Sequence, residues 1–143
     1  STTIGKLAVA YGLIDPIRQK AAAGWPVWGT CAGMILLARE IGALAQPLIG
    51  LMDIQVQRNA FGRQVDSFEA QLDIAALGGG GPFHAVFIRA PLIESVGKAV
   101  EVLSTLEDGR IVAARQGHLL ATSFHPELTD DDRFHRYFME MAK

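Results

Sequence analysis

The feature that most constrains this chain is the segment Gly29-Thr30-Cys31-Ala32-Gly33, which holds its only cysteine. Residues 26–30 predict a short buried strand, and residues 32–40 predict a helix that begins directly after Cys31. A strand that turns this sharply into a helix pushes the residue at the bend out of the sheet, and small neighbours relieve the crowding. The helix N-terminus also favours the thiolate form of the sulfur. The segment therefore predicts a nucleophile elbow for acyl transfer, whereas the alternative is a small buried hydrophobe.

Composition excludes several classes of protein and of site. The chain has 143 residues, enough for one domain with a sizeable core, and its formal net charge of -2 comes without the basic stripe that nucleic-acid binding requires. One cysteine excludes an intrachain disulfide and favours a reducing, cytoplasmic location. No apolar run reaches the roughly 20 residues of a membrane span, and no cysteine–histidine cluster has metal-site spacing. We therefore expect a cytoplasmic protein without a metal or other cofactor, bound to neither membrane nor nucleic acid.

The distribution of apolar residues predicts an α/β layered domain without repeats or linkers. One helix is expected at the start of the chain, and a second begins with Asp15 as its cap and Pro16 at the first helical position. Residues 77–82, with four consecutive glycines, predict a flexible loop, and residues 107–109 predict a hairpin turn. The expected strands are residues 51–57, 66–74, 84–89, 100–105, 110–115 and 119–124, and residues 130–141 are expected to form a last, amphipathic helix.

A second motif, Ser123-Phe124-His125-Pro126-Glu127, follows the last predicted strand. A thiol nucleophile needs a base that takes its proton and later returns it to the leaving amine, and histidine suits both steps near neutral pH. A carboxylate two residues further along can hold the other imidazole nitrogen and fix its tautomer. Cys31, His125 and Glu127 therefore form a candidate catalytic triad at the carboxyl ends of strands. The alternative is a histidine that caps a strand beside a solvated glutamate.

Together the two motifs resemble those of the class I, or triad-type, glutamine amidotransferases. Further segments resemble the glutaminase subunits of pyridoxal 5′-phosphate synthase, and the similarity covers essentially the whole chain. Those segments are Gly50-Leu51-Met52-Asp53, Arg58-Asn59-Ala60-Phe61-Gly62-Arg63-Gln64, Ser67-Phe68-Glu69-Ala70, Phe87-Ile88-Arg89-Ala90-Pro91 and Phe124-His125-Pro126-Glu127-Leu128-Thr129. The resemblance implies a flavodoxin-like, three-layer α/β fold, with an open mixed sheet flanked by helices, and one glutamine amidotransferase domain over residues 1–143.

The resemblance also implies a reaction and a partner. Cys31 would attack the side-chain amide of L-glutamine, with His125 as base and then acid and Glu127 orienting His125, and a glutamyl thioester would then be hydrolysed to glutamate. The backbone N–H of Ala32 would supply one oxyanion donor. The ammonia would pass to a (β/α)₈-barrel synthase subunit within a large hetero-oligomer. The positions that match the glutamine-binding residues of the family are Ser1, Arg58, Ile88 and Arg89.

The chain departs from the family pattern in two places. The family begins with further β/α units that end in Pro-Gly-Gly-Glu-Ser, of which only the serine, Ser1, is present here. The missing glycines carry the other oxyanion donor, and loss of one such donor typically costs on the order of 10²–10³ in rate. We therefore expect the native protein to be longer than this chain. The second departure is Ala60, where the family commonly has serine.

Two other functions stay open at this point. A glutaminase subunit of another synthase, in histidine or nucleotide biosynthesis, would share both motifs. A non-catalytic interaction domain derived from the same fold would keep the architecture but would not react through Cys31.

Overall fold

A computed structural model describes residues 2–43, 45–58 and 67–143 of the chain. Four helices are present there: α1 (Thr2–Ala10), α2 (Ile14–Ala22), α3 (Ala32–Leu37) and α4 (Arg133–Met141). The strands are β1 (Val27–Thr30), β2 (Ala38–Glu40), β3 (Met52–Gln57), β4 (Ser67–Leu72), β5 (Phe83–Ile88), β6 (Leu92–Val96), β7 (Glu101–Thr105), β8 (Ile111–Gln116) and β9 (Leu119–Thr122). Short 3₁₀ turns occupy Ala75–Leu77 and Pro126–Leu128. No helix among these residues is long and apolar enough to cross a membrane.

Seven of the strands form one mixed sheet. Its order is β1-β9-β8-β6-β3-β2, and β7 also pairs with β8. The pairs β1–β9 and β2–β3 are parallel and the other pairs of this sheet are antiparallel, while β4 and β5 form a separate antiparallel ribbon. The predicted α/β class, an open mixed sheet flanked by helices, is confirmed.

The core lies on both faces of the sheet, because successive residues of a strand point to opposite sides. Leu120 of β9 packs into a cluster with the β4–β5 ribbon and Phe134 of α4, whereas the next residue, Ala121, packs into a cluster with α3. In the first cluster the rings of Phe124 and Phe134 meet edge to face at 5.3 Å, an arrangement that aromatic pairs favour. The apolar face predicted for the last helix is confirmed by the burial of Phe134 and Met141.

The elbow helix is shorter than its apolar pattern predicts. Residues 32–40 were expected to be helical, but α3 ends at Leu37 and Ala38–Glu40 form β2, which runs parallel to β3. The reason is a tertiary contact at the last turn: the Leu36 carbonyl accepts hydrogen bonds from the backbone N–H groups of Ile49 and Gly50, at 2.7 and 3.1 Å. A returning loop therefore takes the carbonyl that would otherwise continue the helix.

Helix α2 and strand β6 also differ from the prediction, and α4 begins at Arg133 instead of residue 130. Helix α2 begins at Ile14, so Asp15 lies within its first turn instead of capping it, and the Asp15 carboxylate lies 3.7 Å from the Arg18 guanidinium. The strand β6 was not predicted, because its short sequence Leu-Ile-Glu-Ser-Val has no clear alternation. Pairing with β3 makes it a strand, with Ile54 opposite Val96. The hairpin turn at residues 107–109 is confirmed, and Gly109 there has a φ of 87°.

The two glycines of the elbow have different structural roles, which stability measurements can separate. A Cβ added at Gly29 would lie 2.4 Å from the Gly33 carbonyl oxygen and 2.8 Å from a Leu37 methyl group, whereas a Cβ at Gly33 would meet nothing within 4 Å. We expect Gly29→Ala to lower the free energy of unfolding by about 1–3 kcal/mol, because α3 must move away from β1. Gly33→Ala is the matched control and should be neutral or stabilising by up to about 1 kcal/mol. Urea unfolding measures both, and equal stabilities of the two variants would contradict the packing described here.

Candidate functional site

Cys31 lies at the sharp bend between β1 and α3, as the elbow motif predicts. Thr30 is in register with Thr122 of the parallel strand β9, and the Cys31 backbone N–H donates to the Thr122 carbonyl at 2.8 Å. Its backbone has φ 51° and ψ -108°, a conformation that side-chain-bearing residues rarely adopt. Such strain persists only where neighbouring structure enforces it, and it concentrates at active sites. The fold therefore holds the thiol at the carboxyl end of β1.

His125 and Glu127 lie beyond the end of the adjacent strand, β9. His125 Nδ1 and Glu127 Oε1 are 2.6 Å apart, the short distance typical of a charge-assisted hydrogen bond. The His125 backbone N–H donates to the Val86 carbonyl of β5 at 2.9 Å, which fixes the segment from which the imidazole projects. Because β1 and β9 are parallel neighbours, their carboxyl ends bring the thiol and the His–Glu pair to one edge of the sheet.

The Cys31 thiol is partly buried and engaged with β5. Its sulfur lies 3.7 Å from the Ile88 carbonyl oxygen, to which the S–H donates. Burial raises the pKa of Cys31 above the ordinary thiol value, the Ala32 backbone N–H opposes that change, and the Glu127 charge adds to it. The N–H at the start of α3 therefore favours the thiolate, as the sequence predicts, but the burial of the sulfur outweighs it and the pKa of Cys31 is raised on balance.

The raised pKa of Cys31 determines how the rate of its alkylation depends on pH. A raised pKa leaves the thiol protonated at neutral pH, and only the thiolate reacts. We expect the rate of alkylation by iodoacetamide to rise about tenfold per pH unit from about pH 6 to pH 8. A plateau reached below about pH 7 would mean a lowered pKa and would contradict the burial seen here.

Ala32, the predicted oxyanion donor, is the first residue of α3, and its N–H points toward the Cys31 sulfur. The N–H groups of a helical first turn have no partner within the helix. The place of the Ala32 N–H beside the sulfur is compatible with the predicted role.

Ile88 is the last residue of β5, beside the thiol, and Arg89 follows it. Ile88 supplies the carbonyl that meets the sulfur, and Arg89 has a φ of 46°. Among non-glycine residues of the described chain, Cys31 and Arg89 are the two with positive φ. Two strained residues therefore directly follow strands that end at the site, and the sequence gives no signal for the strain at Arg89.

Arg58 has partners that the sequence analysis missed. Its Nη1 donates to Gln46 Oε1 at 3.1 Å, and the same oxygen lies 3.3 Å from the Thr2 hydroxyl. A guanidinium can only donate, so the amide oxygen of Gln46 must face it. Gln46 thereby links the predicted glutamine-binding arginine to the first turn of α1. Gln46 lies in a loop without periodic pattern, which explains why the sequence did not single it out.

Two residues named from the sequence, Ser1 and Ala60, lie outside the described residues. Within the described ranges, no group of three His, Cys, Asp or Glu residues is placed to hold a metal ion. Of the other histidines, His84 pairs with Glu69 at the surface at 2.8 Å, and His135 packs edge-on against the Trp28 ring. Both therefore have ordinary structural surroundings.

Comparisons with solved structures place this geometry among known folds. A crystal structure described as a glutamine amidotransferase superposes with a TM-score of 0.91 at 54% identity, over 99% of this chain and 74% of that one. A glutamine amidotransferase from Thermotoga maritima superposes with a TM-score of 0.57 over 94% of this chain and 52% of that one. At 14% identity the second comparison shows the fold alone.

Sequence comparisons identify closely related proteins. The pyridoxal 5′-phosphate synthase subunit PdxT of Herpetosiphon aurantiacus is 66% identical over 142 residues, covering 97% of this chain and 74% of the relative. The chain thus spans about three quarters of that relative's length. The model of the SNO glutamine amidotransferase family matches residues 1–143. This chain, with its Cys31 elbow and its His125–Glu127 pair, belongs to the SNO glutamine amidotransferase family.

Proposed function

We propose that this chain is the glutaminase subunit of a pyridoxal 5′-phosphate synthase and hydrolyses L-glutamine to glutamate and ammonia. A relative that is 66% identical bears the name of that synthase's PdxT subunit. The observation that carries the chemistry is the meeting of the strained Cys31 with the His125–Glu127 pair at one edge of the sheet. We treat residues 1–143 as one glutamine amidotransferase domain.

The first half of the reaction forms a thioester. Cys31 gives its proton to His125, and the sulfur attacks the side-chain carbonyl carbon of glutamine. The Ala32 N–H donates to the oxygen that gains negative charge. His125 then passes the proton to the amide nitrogen, the C–N bond breaks and ammonia leaves. The glutamyl group remains bound to Cys31.

The second half uses water as the nucleophile. Water gives a proton to His125 as its oxygen attacks the thioester carbon, and the C–S bond breaks. The proton returns from His125 to the sulfur, glutamate leaves, and the thiol is restored. Throughout, Glu127 holds the Nδ1 side of the ring, so that the other nitrogen faces the reacting atoms and the cationic ring is stabilised.

We assign glutamine binding to Ser1, Arg58, Ile88 and Arg89. Arg58 and Arg89 carry the positive charge that a substrate α-carboxylate requires, and an arginine can hold a carboxylate through two hydrogen bonds. Gln46 fixes the direction of Arg58, and the Ile88 backbone lies against the thiol. Ser1 completes the proposed set.

The product ammonia implies a partner, because ammonia released into water becomes protonated and loses its nucleophilicity. We propose direct transfer to the (β/α)₈-barrel synthase subunit within a large hetero-oligomer. The cytoplasmic location stays a prediction.

An isotope experiment tests this proposal as a whole. Full-length protein in complex with the synthase is supplied with pentose and triose phosphates and with glutamine labelled by ¹⁵N at the side-chain amide. We expect the label in the ring nitrogen of pyridoxal 5′-phosphate and equimolar glutamate. Omitting this protein should abolish glutamine-dependent synthesis while leaving synthesis from ammonium salts.

Capture of a histidine or nucleotide synthase from lysate, with no label in the ring, would favour the alternative enzyme. No glutamate release with any partner would favour the interaction domain.

A further inference from the structure

The glycine-rich loop at residues 78–82 is held by one arginine side chain. Arg133 Nη1 donates to the carbonyls of Gly79 and Gly81 at 3.2 and 2.8 Å, and Nη2 donates to the Pro82 carbonyl at 3.1 Å. On its other side the guanidinium meets the Asp131 carboxylate, with Nη2 2.6 Å from Oδ2 and Nε 2.9 Å from Oδ1. We call Asp131, Arg133 and these three carbonyls the Arg133 clasp. A loop that the sequence predicts to be flexible is thus tied at three carbonyls.

The clasp requires both glycine and arginine at these positions. Gly80 has a φ of 105°, and a Cβ there would lie 3.2 Å from Arg133 Nη1. The Arg133 side chain is 18% exposed, and its hydrogen bonds to Asp131 are partly buried whereas those to the three loop carbonyls are at the surface. A guanidinium presents five donors in a rigid fork, which lets one side chain bind a carboxylate and three carbonyls together. Lysine, a flexible point charge with three donors, cannot reproduce this arrangement.

The clasp joins two chain segments that flank the site. Pro82 directly precedes β5, whose Val86 carbonyl accepts from the His125 N–H at 2.9 Å and whose Ile88 carbonyl meets the Cys31 sulfur at 3.7 Å. Arg133 is the first residue of α4, the helix that follows the His125 segment. The clasp therefore fixes the start of β5 relative to the chain that leaves the His–Glu pair.

We propose that Arg133 is a positioning residue for glutamine hydrolysis. By fixing the start of β5 relative to the segment that carries His125, it sets the separation between the Cys31 sulfur and the imidazole. It acts through the backbone of β5 and touches neither substrate nor reacting atoms. The inference rests on the proposed function, since it concerns how that function's two reacting side chains are kept in place.

The expected effect is on turnover more than on glutamine binding. A displacement of about 1 Å at reacting groups can cost on the order of 10²-fold in rate. For Arg133→Gln and Arg133→Lys in the complex with the synthase, we expect kcat to fall about tenfold and KM for glutamine to change less than about threefold. Both are measured as glutamate release at a temperature where circular dichroism shows each variant folded.

Arg136→Gln is the matched control. Arg136 lies on the same helix and pairs with Asp132 at 3.0 Å, but its side chain is 77% exposed. Its kcat, KM and melting temperature should match the wild type. Gly80→Ala disturbs the same contact from the loop side and provides a second variant if the Arg133 variants fail to fold. We expect it to lower kcat in the same way, and adding it to Arg133→Gln should cause no further loss.

The outcomes separate this inference from the proposed function. An active wild type with a kcat unchanged in Arg133→Gln or Gly80→Ala overturns the positioning role, even if the melting temperature falls. A variant whose KM for glutamine rises about tenfold while its kcat stays unchanged also overturns it, since the clasp would then shape the glutamine pocket. Wild-type protein that releases no glutamate with its synthase overturns the proposed function and, with it, this inference.

Discussion

Replacing Cys31 with alanine should reduce glutamine hydrolysis by the complex at least about 10⁴-fold, because no other group can form the thioester. The fold should survive the change. Alanine tolerates the elbow's positive φ about as poorly as cysteine does, so the strain is the same in both proteins. The side chain is also small, and the hydrogen bond from its S–H to the Ile88 carbonyl is long, at 3.7 Å.

Three readouts make the Cys31→Ala result specific. The variant should still bind glutamine in calorimetry, bind the synthase partner and support pyridoxal 5′-phosphate formation from ammonium salts. Glutamate release is measured by a coupled assay. A variant that keeps more than a tenth of the wild-type rate would contradict a covalent mechanism at this residue.

Replacing Glu127 with glutamine should lower kcat by about 10²–10³. Glutamine has the same size, but its amide can turn a donor toward His125 Nδ1, which favours the wrong tautomer, and it offers no charge to a cationic ring. The side chain of Glu127 is 47% exposed, so water can partly substitute for it. For that reason we expect a smaller loss of kcat than the ~10⁴-fold loss that follows removal of a buried carboxylate.

The alkylation rate of Cys31 is a second measurement on Glu127→Gln, and we expect it to change in the opposite direction to turnover. The Glu127 charge contributes to the raised pKa of Cys31, so its removal should speed alkylation of the thiol slightly at a given pH while turnover falls. Glu69→Gln is the matched control, because Glu69 and His84 form a similar pair at 2.8 Å on the β4–β5 ribbon. That variant should turn over as the wild type does. Equal loss of kcat in both variants would indicate a general effect of removing a carboxylate beside a histidine and would contradict the assigned role.

The elbow and the His–Glu pair are local patterns, and this explains why sequence predicted them. In each case the residue types that matter lie within five positions and follow an apolar strand. The parallel pairing of β1 with β9 brings the two together; the sequence predicted that both motifs lie at the carboxyl ends of strands, but not which strands pair.

The features that the sequence did not predict depend on contacts between segments that are distant along the chain. The end of α3 depends on the loop at Ile49, and β6 becomes a strand by pairing with β3. The pKa of Cys31 depends on how deeply packing buries the sulfur, which local spacing does not encode. The clasp joins Arg133 to glycines more than fifty positions earlier, so residues 78–82 viewed alone predict only a flexible loop.

The most direct test of the account is covalent labelling of Cys31 by a glutamine analogue that carries an electrophile in place of the side-chain amide. The full-length protein, in complex with its synthase partner, is incubated with the analogue, digested and mapped by mass spectrometry. We expect one labelled peptide, with the adduct on Cys31, and labelling that excess glutamine prevents. An unlabelled Cys31 in a complex that still hydrolyses glutamine would contradict the assignment of this thiol as the nucleophile.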